Sequence, residues 1–198
     1  DVLAYVVLLI SLLIFHALFT YSIFLKFIGG LSPITFFKKI KNVALFAFST
    51  SSSAATIPVT LKTVNQDLGV NQNVASFVVP VGATINMDGT AIMQGLATVF
   101  IAQMSGIDLT LFQYGQVVLL AVATSIGTAA VPSAGTITLI IILQQFNLPL
   151  EAIGIILAVD RVLDMIRTSV NVTGDAAIAC IVAKSENQLD ETIFNSHK

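Results

Sequence analysis

"DRVLDMIRTSVNVTGD", residues 160–175, sets Asp160, Arg161, Asp164, Arg167 and Asp175 inside an otherwise strongly apolar chain. On a helix turning about 100° per residue, Asp160, Asp164, Arg167, Asn171 and Asp175 fall near 0°, 40°, −20°, 20° and 60°, and Thr168 near 80°. Almost every polar group of the segment therefore shares one stripe, about 80° wide. A charge at mid-bilayer costs about 2.5–3.5 kcal/mol on insertion scales, so a row of them marks a cavity or a pathway. An ion-paired seam between helices would explain Asp164 beside Arg167, but not the hydroxyl-rich and broken segments elsewhere in the chain.

The setting is a membrane. Of 198 residues, 56% are hydrophobic and 10% charged, with mean hydropathy +0.92, whereas soluble domains carry roughly 25% charged residues. So few charges cannot clothe a soluble surface. The formal charge of −2 argues for no nucleic acid or other polyanionic partner. Trp is absent, which leaves Tyr5, Tyr21, Tyr114 and the Phe residues for any interfacial belt. Cys180, alone in an apolar run, reads as a small buried hydrophobe and can form no internal disulfide. The chain enters a span directly after Asp1, without the basic n-region and cleavage site of a signal peptide. We expect it to be part of a longer membrane protein.

Val2 to Leu25 is an uncharged run of 24 residues, about 36 Å of helix, enough to cross a bilayer with some tilt. Asp1 precedes this span (1–28), and Lys26, Lys38, Lys39 and Lys41 follow it, which places the following loop in the cytoplasm. His16, mid-span, reads as a hydrogen-bonded packing residue. The next apolar stretch carries "FSTSSSAATIP" (48–58), a string that gains nothing from facing lipid. Irregular backbone at membrane depth is tolerated only against protein or a watery cavity, so residues 33–68 are expected to form a re-entrant hairpin. "NQDLGVNQN" (65–73) reads as a polar turn. A span over 74–104 is interrupted by "GATINMDGT" (82–90), with its break at 86–90. The 42 uncharged residues between Asp108 and Glu151 centre on "SIGTAAVPSAGT" (125–136) and suit a second hairpin over 108–147. The charged span covers 150–183, and 184–198 reads as a polar cytoplasmic tail.

"SSAATIPV" (52–59) echoes "GTAAVPS" (127–133), and "NMDGT" (86–90) echoes "NVTGD" (171–175). Paired Gly/Pro-interrupted segments in corresponding halves point to an inverted-repeat transporter with its site at the midplane. The fold class expected is therefore an all-α membrane protein of spanning helices and two re-entrant hairpins.

The chemistry follows from the residue types. Arg167 offers a planar fork suited to a carboxylate, and Asp164, one turn earlier, can accept from an ammonium. Thr168 and Asn171 can bond a second carboxylate, and the hairpin tips can supply backbone donors. Asp88 and Asp175 carry hard oxygens, and unwound backbone around 82–89 adds carbonyls. With no His/Cys cluster, these ligands suit sodium rather than a transition metal.

At these residues the chain resembles the C-terminal half of a dicarboxylate/amino acid:cation symporter, the family of archaeal aspartate and neuronal glutamate transporters. "SSSAATIPVT" (51–60), "NMDGTA" (86–91), "SIGTAAVPSAG" (125–135) and "DMIRTSVNVTGD" (164–175) all match its pattern, over residues 1 to about 186. The resemblance implies the mobile transport domain of an elevator-type carrier, a homotrimer in the plasma membrane (the inner membrane, if bacterial). Its N-terminal half, with the scaffold, would be the partner of this chain. It also implies a first-hairpin tip at Ser52 and Ser53 and an outer gate at 127–135. Substrate would be held by Ser52, Ser53, Thr90, Val131, Pro132, Gly135, Asp164, Arg167, Thr168 and Asn171, with Arg167 on the side-chain carboxylate and Asp164 on the amine. Sodium ions would sit near Gly82, Thr84, Asn86, Asp88, Asn171 and Asp175, and near Ser125, Ile126 and Thr128 at the gate.

The sequence departs from the pattern in two places. Family members carry a second Arg just before the first hairpin's serines or just after the Asp of the last helix; Ser51 and Met165 hold those positions here. Arg161 is expected to supply that charge from one turn away. Gln94 stands where neuronal members carry the Glu linked to proton and potassium coupling, which favours sodium alone. The expectation is sodium-coupled symport of aspartate or glutamate, and no enzyme. A sodium-coupled carrier of neutral amino acids or cystine would leave Arg167 facing a neutral side chain, and a proton-coupled dicarboxylate carrier would leave Asp164 without an amine. A channel would need an open polar path without gates, and an intramembrane protease a second catalytic helix.

Overall fold

The computed structural model describes residues 2–196; Asp1, counted above in the charge asymmetry, and the last two residues of the expected tail lie outside that range. Helix α1 (Val2–Ile28) has a mean hydropathy of 2.7, and only 17% of its most apolar window is buried. Among the described residues it is the one helix long and apolar enough to cross a membrane by length and composition. Two π-helical turns, His16–Thr20 and Phe24–Ile28, widen it. A π turn brings residues five apart onto one face, and here it aligns His16 with Tyr21, whose rings meet edge to face at 4.9 Å.

The first hairpin pairs α2 (Pro33–Thr50) with α3 (Ser53–Gln66). Ser32 starts α2 by accepting from the Thr35 N–H at 3.3 Å, with Pro33 at the first helical position, where its missing N–H costs nothing. Ser51 ends α2 in the left-handed region (φ 50°), and Ser52 immediately caps α3 by accepting from Ala55 N–H at 3.2 Å. The serine run is thus a stop and a start within three residues. Helices α4 (Gln72–Ile85) and α5 (Asp88–Met104) are separated at Asn86 and Met87, which leave helical geometry. The second hairpin pairs α6 (Leu111–Ser125), begun by a Thr110/Gln113 capping box, with α7 (Ala134–Gln145). Gly127 (φ 86°) and Ser133 (φ 59°) turn the tip between them.

Helix α8 (Ile153–Ser185) runs through the middle, packed against α1, α2, α3, α4, α5 and α7. Its burial is nearly complete from Arg167 to Ala183, and the stripe of Asp160, Asp164, Arg167, Asn171 and Asp175 is buried as a row. The outward faces are apolar instead, with Leu111 88% and Phe112 76% exposed. This inverts the soluble arrangement, in which charge is rarely buried and faces water.

The segment after α8 folds back. Asn71 N–H donates to Gln188 O at 2.9 Å and Asp190 N–H to Gly69 O at 2.8 Å, joined by an isolated bridge between Val70 and Leu189. The short helix α9 (Glu191–Asn195) buries Phe194. Asp190 caps it, and its carboxyl is held below the ordinary carboxylate range, first by the Thr192 hydroxyl and then by the Ile193 N–H. The Lys39 ammonium donates to the carbonyls of Asp67 (2.8 Å) and Ile193 (2.6 Å) and to the Ser196 hydroxyl (3.3 Å), tying the end of the chain to the base of the first hairpin. Among the described residues there is no β-strand.

Candidate functional site

The two hairpin tips meet over the charged face of α8. Ser52 Oγ donates to Ala130 O at 2.8 Å and Ala54 N–H to the same carbonyl at 3.2 Å, so one carbonyl of the second tip joins it to the first. Beneath the tips, Asp164 accepts from the Ser133 N–H at 2.9 Å and from Arg167 Nη2 at 2.6 Å. Thr168 Oγ1 lies 3.5 Å from the same carboxylate. Arg167, only 2% exposed, also donates through Nη1 to Asp160 at 3.2 Å. Its fork is therefore held between two carboxylates one turn apart on its own helix, an arrangement that fixes the guanidinium in place. Asn171 accepts from Gly89 N–H at 2.8 Å and donates to Thr90 Oγ1 at 3.3 Å, locking α8 to the start of α5.

Ser53, Thr90, Val131, Gly135, Asp164, Arg167, Thr168 and Asn171 all border one cavity. Its free volume is ≈ 20 Å³, room for about one water molecule. Ser52 stands at its rim through the Ala130 contact, and Pro132 does not line it. Ala129 and Ala130, inside the expected gate at 127–135, also line it, as do Ser51 and Met87, which the sequence motifs did not name as ligands. The Ser51 hydroxyl is buried without a hydrogen-bond partner, as is Asp160 Oδ2. The signal for Ser51 was its place at the head of the run Ser51–Ser53; for Ala130 no side-chain signal exists, since only its carbonyl acts.

The residues expected around sodium fall into three groups. In the first, Asn86 Nδ2 donates to Asp175 Oδ1 at 3.0 Å and to Asn171 O at 3.4 Å, and Gly82 faces the same carboxylate so closely that a Cβ would lie 2.6 Å from Asp175 Oδ1. Gly174 is equally constrained, because a Cβ there would lie 2.5 Å from both Tyr21 Oη and Asn86 Nδ2. Asp175 is 2% exposed and has no ion-pair partner among the described residues. A buried carboxylate without a cation is expensive, and hard oxygens with carbonyls nearby suit an alkali ion. In the second group, Thr84 O accepts from Gly127 N–H at 3.0 Å, which brings the break after α4 to the end of α6, where Ser125 and Thr128 are buried and Ile126 is exposed. In the third, Asp88 turns the other way, accepting from Tyr21 Oη at 3.3 Å and meeting His16 Nε2 at 3.0 Å.

Arg161 does not supply the charge expected of it. One residue past Asp160 it is rotated about 100° off the buried stripe, and it is exposed with no ion pair among the described residues. Gln94, fully buried, joins both arms of the second hairpin: Oε1 accepts from Thr124 Oγ1 at 2.8 Å, while Nε2 donates to Gly135 O at 3.0 Å and Thr138 Oγ1 at 2.7 Å.

Two helical hairpins close on a buried, charged helix whose surroundings face outward with apolar side chains, an arrangement suited to a membrane protein. The chain belongs to the sodium:dicarboxylate symporter family, whose model matches residues 1–185. It is 46% identical over 168 residues to excitatory amino acid transporter 2 of Homo sapiens, an alignment covering 84% of this chain and 29% of that protein. It is 43% identical over 178 residues to an excitatory amino acid transporter of Caenorhabditis elegans (90% and 35%), and 41% identical over 193 residues to excitatory amino acid transporter 3 of Mus musculus (97% and 37%). The chain thus spans about a third of the length of these relatives.

Proposed function

We propose that the whole protein carries an acidic amino acid, aspartate or glutamate, across the plasma membrane together with sodium. The buried Asp164–Arg167 pair beneath the joined hairpin tips carries this reading. Asp164 takes the substrate ammonium, Arg167 the side-chain carboxylate, and Asn171, Thr168 and the Ser51–Ser53 tip the remaining polar groups. A cavity of ≈ 20 Å³ holds no amino acid, so the Ser52–Ala130 contact has to open to admit one. The tip at 127–135 is the part that moves, because the base of the first hairpin is tied to the chain's end through Lys39. Sodium occupies the carboxylate-and-carbonyl groups at Asp175 with Asn86 and Gly82, at Thr84 with Ser125, Ile126 and Thr128, and at Asp88.

The hairpins are re-entrant and the fold is an inverted repeat; the serine and Gly/Pro-rich tips at matching places in the two halves support this. The resemblance of the four motifs supports an elevator movement of this domain against a scaffold from the N-terminal half, in a multi-pass homotrimer. A membrane potential of 100 mV and a tenfold sodium gradient together supply about 3.7 kcal/mol per sodium ion. Accumulating an anion about 10⁴-fold requires about 5.5 kcal/mol, plus about 2.3 for the potential, so two to three ions are needed. Uptake of labelled aspartate by the full-length protein in proteoliposomes, with sodium and proton gradients imposed separately, tests this. Uptake is expected only with sodium; uptake in sodium-free buffer under a proton gradient would refute it.

A further inference from the structure

The base of the first hairpin holds a second polar cavity, of ≈ 570 Å³, walled by Lys38, Lys39, Lys41, Asn42, Asp67 and Thr192 among others. Its charge is one-sided. Residues 2–66 contain five lysines and no acidic residue, and three of those lysines line this cavity against the single carboxylate of Asp67. Lys39 gives its donors to Asp67 O, Ile193 O and Ser196 Oγ and so builds the wall. Lys38 and Lys41 are exposed and form no ion pair among the described residues, leaving two ammonium groups open to a ligand. Asn42 adds an uncharged, exposed amide suited to phosphate or polyol oxygens.

The depth of the cavity follows from helix geometry. Along α2, Lys41 and Lys38 lie 10 and 13 residues from Ser51 at the tip, or about 15 and 20 Å at 1.5 Å per residue. Half of a bilayer's hydrocarbon core is about 15 Å. With the tip at the midplane, as the re-entrant reading under Proposed function has it, both lysines stand at headgroup level. We propose that this cavity binds the phosphodiester headgroup of an anionic phospholipid in the leaflet on the lysine-rich side. Lipid attraction to lysines beside a membrane span has the same physical basis, but here two of them share a formed cavity with the Asn42 amide.

The test is native mass spectrometry of the purified full-length protein titrated with phosphatidylglycerol and phosphatidylcholine. Wild type is expected to retain phosphatidylglycerol preferentially, and Lys38→Gln with Lys41→Gln to lower that preference about 25-fold, about fivefold per lysine. Lys62→Gln removes a charge from the same hairpin outside the cavity and is expected to change nothing. An unchanged preference in the double variant, or an equal loss per charge in Lys62→Gln, would overturn the proposal. So would displacement of the lipid by equimolar inorganic phosphate, which would mark a site for a soluble anion. Labelling of Lys38→Cys by an impermeant thiol reagent from each side of sealed vesicles reports the depth of α2 independently of lipid. Protection of Cys from both sides would remove the headgroup-level reading itself, whereas labelling from the lysine-rich side without lipid preference would remove this inference alone.

Discussion

Replacing Arg167 with Cys should exchange the class of substrate, and the structure gives the size of the effect. The guanidinium sits 2.6 Å from Asp164 and 3.2 Å from Asp160, with all three residues buried. Removing it leaves two buried carboxylates without a counter-charge, a loss of about 3–5 kcal/mol of stability unless a proton or a ligand intervenes. An acidic substrate loses its side-chain partner as well; truncating one side of a buried charge pair costs about 2–5 kcal/mol, or about 30-fold to a few thousandfold in affinity. A neutral amino acid loses nothing and brings an ammonium that replaces the missing cation at Asp164. Serine should therefore raise the melting temperature of Arg167→Cys more than aspartate does, the reverse of wild type. The assay is competition for uptake in proteoliposomes alongside thermal unfolding with each amino acid, on the full-length protein. Asp160→Asn added to Arg167→Cys removes one of the two stranded charges and should recover stability without recovering aspartate uptake. Arg167→Lys keeps the charge but not the fork and should fall between the two. If Arg167→Cys transports aspartate as well as wild type, another group holds the carboxylate and the assignment is wrong.

Asp175→Asn and Asp88→Asn should each shift the sodium dependence of uptake to higher concentration with the folded fraction retained; sodium titrations unchanged in both would make these residues structural. Gly82→Ala places a methyl 2.6 Å from Asp175 Oδ1, so it should weaken sodium dependence at least as strongly as Asp175→Asn while Gly95→Ala, with nothing nearer than 4.0 Å, stays close to wild type. Gln94→Ala removes the three hydrogen bonds by which the amide joins the two arms of the second hairpin, each worth about 0.5–1.5 kcal/mol. Faster hydrogen exchange over 124–138 than over 50–56 would report it, and equal protection in both hairpins would contradict the role given to the amide.

The helical class was legible because uncharged runs of known length admit few alternatives in an apolar chain. The tips were legible for a local reason too. Serine stops α2 at Ser51 and caps α3 at Ser52, so one residue type performs both operations and the string is conspicuous. Long-range docking left no such mark. The segment after Ser185 reads as polar, yet Phe194 is buried, and the segment is anchored through backbone groups of Gly69 and Asn71 and through Lys39, more than a hundred residues away. Nothing in its composition names those partners. The π turns of α1 are hidden in the same way, since an apolar sequence has no pattern against which to show a widened turn.

Within the site, what periodicity could reach was the row on α8, because residues four and three apart on one helix must share a face wherever the helix docks. It could not divide that row among functions. Asp88 is third in NMDGT and Asp175 fifth in NVTGD, so the echo does not pair them, yet each is a carboxylate beside an Asn-Xaa-Xaa-Gly string and the sequence treats them alike. The structure separates them: Asp175 faces Asn86 and Gly82 in the interior, while Asp88 opens α5 and turns to His16 and Tyr21 on α1. The difference arises from position on the helix. Asp175 lies within continuous α8, which fixes its direction inward, whereas Asp88 is the first residue of α5, where the chain has just left the break and the side chain can swing toward another element. Arg161 fails for the complementary reason, a single step along a helix that turns it out of the stripe. A motif marks which residues carry hard oxygens, but the direction of each side chain depends on whether the helix carrying it is continuous there.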